Sequence, residues 1–158
     1  MRSIIGPITP ELKVLDLCCC EMTGTQRLFE RVTAIDVVDW KTRPARHDFT
    51  LADGLVYLLT CGDHRFDVAI CSDGIEHFSK ARGWEVLAEM QRVARLSIIF
   101  TPLGNFCADE NATHPDHHKS AWWPHEFARV GWDTLVYPNW HATWNHGAFF
   151  AYTPRDTQ

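Results

Sequence analysis

Short apolar runs of strand type recur along this chain, and most of them are separated by a stretch of helical periodicity. KVLDLC (13–18), TAIDVV (33–38), FDVAICS (66–72) and LSIIFTP (96–102) read as buried strands, and WDTLVYP (132–138) and GAFFAYT (147–153) alternate as strands do. TGTQRLFERV (23–32) carries Leu28, Phe29 and Val32 at helical spacing, and DGLVYLLTCG (53–62) reads as a short helix capped near Asp53 and ended at Gly62. RGWEVLAEMQRVA (82–94) is the clearest helix, with Trp84, Leu87, Met90, Val93 and Ala94 on one stripe. PHEFARVG (124–131) opens with Pro124 and closes with Gly131. TRPARHDFT (42–50) reads as a loop, because Pro44 and the charges break any period. Strands joined through helices favour a mostly parallel sheet of about seven strands with helices on both faces. The last two strands are linked by NWHATWNH, too short for a parallel crossover, so they are expected to form an antiparallel hairpin at a sheet edge.

The 158 residues fit one domain, 1–158, with a single sizeable core. A formal net charge of −5 argues against a polyanion-binding surface, so a nucleic-acid partner is not expected. The basic stretch KTRPARH (41–47) reads as a solvated loop. No apolar run approaches the ~20 residues that span a membrane, and Pro7 and Pro10 break the amino-terminal stretch that a leader would need. The expected setting is cytoplasmic, with the six cysteines as thiols. Cys18, Cys19 and Cys20 are adjacent, and neighbours on a strand point to opposite faces. They cannot converge on one ion, and Cys61, Cys71 and Cys107 show no ligand spacing.

In an open α/β sheet the ligand lies at the carboxyl ends of the strands, and the first strand-to-helix turn is the usual cofactor loop. That turn is residues 18 to 24. Asp36 ends the next strand at the spacing of an acid that hydrogen-bonds a ribose. Asp53 can equally cap its helix.

On these segments the chain resembles the class I S-adenosylmethionine-dependent methyltransferases of the small seven-stranded type. VLDLCCCEM is similar to their V-L-D-L-G-C-G-x-G loop, VTAIDVV to their second motif, and LADGL to their third. FDVAICSDGIEHF resembles a fourth-strand motif ending in I-E-H, and RVARLSIIFTPLG a fifth strand. HKSAWWPHEFARVGW resembles an H-x-S-x-W-x-P-x-E-F-x-x-x-G stretch of some bacterial members. The resemblance covers residues 12 to 153. It implies a Rossmann-like class I methyltransferase fold, S-adenosylmethionine as cofactor and a methyl acceptor as substrate. The loop glycines of that family fall at Cys18, Cys20 and Met22, and Gly24 follows two residues late. Glycine at such positions permits positive φ and close approach to the ligand.

The resemblance implies cofactor contacts from Asp16, Cys18, Cys20, Asp36, Val37, Asp53, Gly54 and Ser72. It places Asp73 and His118 at the reacting atoms, and His77, Ser120 and Trp122 against the substrate. Trp122 and Trp123 can stack on a flat substrate, although one of the two is expected to cover the core. The loop 103–121 carries His114, Asp116, His117 and His118 without H-E-x-x-H or an equally strict spacing, so no metal is expected. Residues 104 to 122 are expected to act as a lid over the site. The acceptor is read as a small molecule, since neither a D/N/S-P-P-Y/F nor a P-C-Q motif of nucleobase enzymes is present. The other reading is a non-catalytic module that has lost the cofactor. A nucleotide-dependent oxidoreductase would want G-x-G-x-x-G after the first strand, which is missing.

Overall fold

The computed structural model describes residues 1–20, 24–39, 47–141, 143 and 145–154. Met22 and most of the basic stretch 41–47 lie outside the described residues. One seven-stranded sheet runs through the molecule in the order β3-β2-β1-β4-β5-β7-β6. Its strands are β1 (Val14–Leu17), β2 (Thr33–Asp36), β3 (Asp48–Leu51), β4 (Phe66–Ser72), β5 (Ala94–Pro102), β6 (Asp133–His141) and β7 (His146–Tyr152). The five strands from β3 to β5 pair in parallel, and β7 pairs antiparallel with both β5 and β6. Strand order reverses between β1 and β4, and Leu17 lies opposite Cys71 there.

The expected terminal hairpin is present and tighter than the sequence suggests. β6 continues to His141, which pairs with His146 after a register shift beyond Tyr137. β3 corrects the loop reading of 42–50. Asp48–Leu51 is a short edge strand with three exposed positions, so it shows neither an apolar run nor a buried alternation.

Helices α2 (Gly54–Thr60), α3 (Lys80–Val93) and α4 (Pro124–Arg129) cover one face of the sheet. Asp53 caps α2 by accepting from Val56 N–H at 3.1 Å. On α3, Leu87, Met90 and Val93 are buried and Trp84 packs on the core; Ala94 is already the first residue of β5. The other face is covered more thinly, by α1 (Arg2–Ile5) together with Phe29 and Val32. The helix expected over 23–32 is reduced among the described residues to one 3₁₀ turn, Thr25–Arg27. Thr25 is tied down to the Asp16 carboxylate, and the chain then extends so that Phe29 and Val32 reach the core.

Candidate functional site

The turn after β1 keeps a backbone that side chains ordinarily avoid. Cys18 has φ 55° and Cys20 φ 46°, both in the left-handed region. A Cβ there costs roughly 1–2 kcal/mol per residue. These are two of the positions where the resemblance expects glycine, and both keep positive φ despite their side chains. Contacts on either side hold it. Cys19 N–H donates to Ile35 O at 3.1 Å, and Cys20 N–H donates to Asp36 Oδ2 at 2.9 Å. Beneath the loop Asp16 is 3% exposed and accepts from Thr25 Oγ1 at 2.5 Å. Burial raises its carboxyl to about 7, against the pull of the Thr25 hydroxyl. Gly74, after β4, packs against the same turn. A Cβ on it would fall 2.7 Å from both Cys18 Cβ and Cys71 Sγ.

A cavity of about 460 Å³ opens at the carboxyl ends of β1 and β2. Cys18, Asp36, Val37, Ala52, Asp53 and Gly54 form one side, and His77, Phe78, Ser79 and Arg82 the other. Asp36 is half-buried at the end of β2, and its Oδ1 accepts from Val38 N–H at 2.9 Å. Each of its oxygens therefore already holds one backbone amide and keeps a lone pair for a ligand. Asp53 caps α2 and also lines the cavity, where Arg82 donates to its Oδ1 at 2.7 Å. Arg82 was not legible as a site residue, because nothing in the sequence shows that the first turn of α3 faces Asp53. Val37 is 52% exposed, an apolar side chain left open at the cavity.

Beyond β4 lies a second group of polar side chains. Asp73 is exposed at the strand end with φ 48°. Burial of its carboxyl by neighbouring segments raises its pKa, partly offset by His141 and His118. Glu76 is 2% exposed, and its Oε2 accepts from Thr101 Oγ1 at 2.9 Å. Its Oε1 has no hydrogen-bond partner among the described residues. Burial and the nearby Asp73 push its carboxyl up to about 8. His77 and His118 meet edge to face with ring centroids 5.1 Å apart. Burial lowers the His77 pKa, against the His117 carbonyl. In the sequence Glu76 is the middle residue of I-E-H. A charged residue of a 3₁₀ turn gives no sequence sign that it is buried.

The expected substrate contacts at Ser120 and Trp122 are not where the structure places those residues. Trp122 is fully buried against Trp84 and Phe127. Gly83 makes room for it, since a Cβ there would stand 2.5 Å from Trp122 Cζ2. Ser120 is 6% exposed and accepts from Trp122 Nε1 at 2.8 Å. Lys80 lies 3.6 Å from the centre of the Trp122 ring and donates to Ala121 O and Glu126 Oε2. This stretch is scaffold, and of the tryptophan pair it is Trp122 that covers the core. The lid expectation narrows for the same reason. Lys119 and Ser120 N–H both donate to Glu76 O, at 2.7 and 3.1 Å, and Gly104 N–H donates to Trp122 O at 2.6 Å. Both ends of 104–122 are pinned, and the exposed residues fall mainly between Cys107 and His117.

Solved structures of the same architecture are numerous. A 1,6-didemethyltoxoflavin N1-methyltransferase of Burkholderia thailandensis, with 1,6-didemethyltoxoflavin and S-adenosylhomocysteine bound, superposes with TM-score 0.66 at 15% identity, over 96% of this chain and 72% of that one. A S-adenosylmethionine-dependent methyltransferase of Archaeoglobus fulgidus gives 0.60 at 15% identity, over 91% and 87%. Phosphoethanolamine N-methyltransferase 2 of Haemonchus contortus, with S-adenosylmethionine bound, gives 0.68 at 12% identity, over 98% of this chain and 50% of that one. This chain has the class I methyltransferase fold. No protein-family model and no curated protein sequence matches it. Within that fold the cavity beside Asp36 lies at the switch point where open α/β sheets take their ligands. None of the helices formed by the described residues is long and apolar enough to cross a membrane.

Proposed function

We propose that this protein is a S-adenosylmethionine-dependent methyltransferase acting on a small molecule, in a cytoplasmic setting. The observation that carries the reading is the left-handed backbone at Cys18 and Cys20 beside a cavity rimmed by Asp36 and Asp53. The residues present fit the cofactor. Asp36 would accept the ribose hydroxyls through its remaining lone pairs. Val37, Ala52 and Phe78 offer apolar walls for the adenine, and Asp53 and Gly54 its polar edge. The turn at Cys18 to Cys20, with Asp16 beneath it and Ser72 across the β1–β4 crevice, would hold the methionine end. When bound, the cofactor supplies an electrophilic methyl on a sulfonium. The protein's part is to orient the acceptor in line and exclude water. Asp73 stands at the end of β4 and would orient an acceptor proton or take it, with His118 beside it.

Isothermal titration with S-adenosylmethionine and S-adenosylhomocysteine tests the reading. Binding of both, weakened by Asp36→Ala, is the expected result. The second reading is a non-catalytic module, favoured by the Cβ atoms at Cys18 and Cys20. It would take over if neither compound binds the parent protein.

A further inference from the structure

We propose that Glu76, His77 and His118 bind a divalent transition-metal ion of the zinc class on the β4 side of the cleft. One ligand atom from each of the three lies within 4.8 Å of the others. Zinc bonds nitrogen and carboxylate oxygen at ~2.0–2.2 Å, so the three donors would close in around a bound ion.

The hydrogen bonds around the cluster bear on which ring nitrogen can serve as a ligand. His77 Nδ1 lies 3.2 Å from His117 O, and His118 Nδ1 lies 2.7 Å from Phe106 O. A carbonyl oxygen only accepts, so each Nδ1 carries the proton. Each Nε2 of the neutral ring is then an acceptor. A backbone carbonyl on the far nitrogen is the usual outer partner of a metal-bound histidine.

Glu76 supplies the independent observation. It is 2% exposed, and its Oε1 has no hydrogen-bond partner among the described residues. An unpaired buried carboxylate oxygen costs stability, and a cation beside it would remove that cost. The two segments are strapped together before any ion arrives, by Lys119 and Ser120 N–H on Glu76 O. Two imidazoles and one carboxylate suit zinc, cobalt or iron(II) rather than magnesium. Three protein ligands leave a position open, and His77 also lines the cavity, so the ion would present that position to an acceptor group.

The test is titration of the untagged, chelator-treated full chain with Co²⁺, read by visible d–d absorption. The expected result is one equivalent bound, displaced by Zn²⁺ and not by Mg²⁺. His118→Ala and Glu76→Gln should each weaken binding at least about tenfold. The exposed His114, outside the cluster, serves as control, and His114→Ala should leave binding unchanged. Circular dichroism verifies folding, and His77→Ala replaces Glu76→Gln if the latter does not fold. Absence of d–d bands in the parent overturns the proposal. So does binding that persists in the cluster variants or is lost with His114→Ala. Cofactor binding plays no part in this readout, so its failure and the failure of the methyltransferase reading are distinguishable.

Discussion

The two sides of the cleft are built from similar residues and held in opposite ways. On the β2 side the carboxylates of Asp36 and Asp53 are half-buried and already satisfied by backbone amides and Arg82. On the β4 side Glu76 is buried with an orphaned oxygen, and the pKa values of Asp73, Glu76 and His77 are all displaced. A satisfied carboxylate is a ready acceptor for neutral hydroxyls. A strained cluster is where chemistry or an ion is expected. Under the proposed function the β2 side is the binding half of the site and the β4 side the reacting half.

The largest effect should come from the scaffold beneath the β4 side. Trp122→Ala empties a fully buried site and should cost ~3–5 kcal/mol, read by urea denaturation. A variant of parental stability whose acceptor KM rises would return Trp122 to the substrate. Asp36→Ala comes next. Loss of two hydrogen bonds to a charged acceptor, each worth ~1.5–3 kcal/mol, should weaken S-adenosylhomocysteine binding by about a hundredfold or more. Co²⁺ binding should not change. If both fall together, the two halves are not independent and the comparison breaks.

A pH series separates the halves by a smaller margin. Glu76 and Asp16 have folded pKa values, about 8 and about 7, above those of free carboxylates. The folded state thus holds protons that the unfolded chain has already released, so stability is lost as pH rises toward those values. His77 works the other way, since its lowered pKa removes stability as pH falls below the usual imidazole range. In metal-free protein, stability should therefore fall between pH 6.5 and 8 by on the order of 2 kcal/mol. Glu76→Gln should flatten that slope, whereas Asp36→Asn should not. A slope untouched by Glu76→Gln would mean that its carboxyl is not held protonated.

The sequence exposes one half far better than the other. β1, β2, β4 and β5 are apolar runs, and Asp36 falls at a strand end by counting, so the sheet and the place of Asp36 can be read directly. β3 has no such run, since three of its four residues are exposed at the sheet edge. The reacting side depends on contacts far apart in sequence, Glu76 with 119 and 120 and His77 with 117 and 118, which no local pattern encodes. Trp122 was misplaced for the same reason. Its burial depends on Gly83 of another element leaving room for the indole.

The smallest expected effect distinguishes the two cysteines of the binding loop. Both hold positive φ, at 55° for Cys18 and 46° for Cys20, so glycine at either would release left-handed strain. Glycine also loosens the unfolded chain, which offsets part of the gain. What remains depends on the side chain. Cys20 is exposed, and its backbone N–H donates to Asp36, a contact that glycine keeps. Cys18 is half-buried, and its Cβ and Sγ pack where Gly74 closes on the turn. Cys20→Gly should therefore stabilise the protein by up to ~1 kcal/mol. Cys18→Gly should give no gain or a small loss, because it opens a gap beside Gly74 and Cys71. Paired urea denaturation curves decide between them. Equal stabilisation by both would mean that the Cys18 packing contributes nothing, and that the β1 turn is held by its backbone contacts alone.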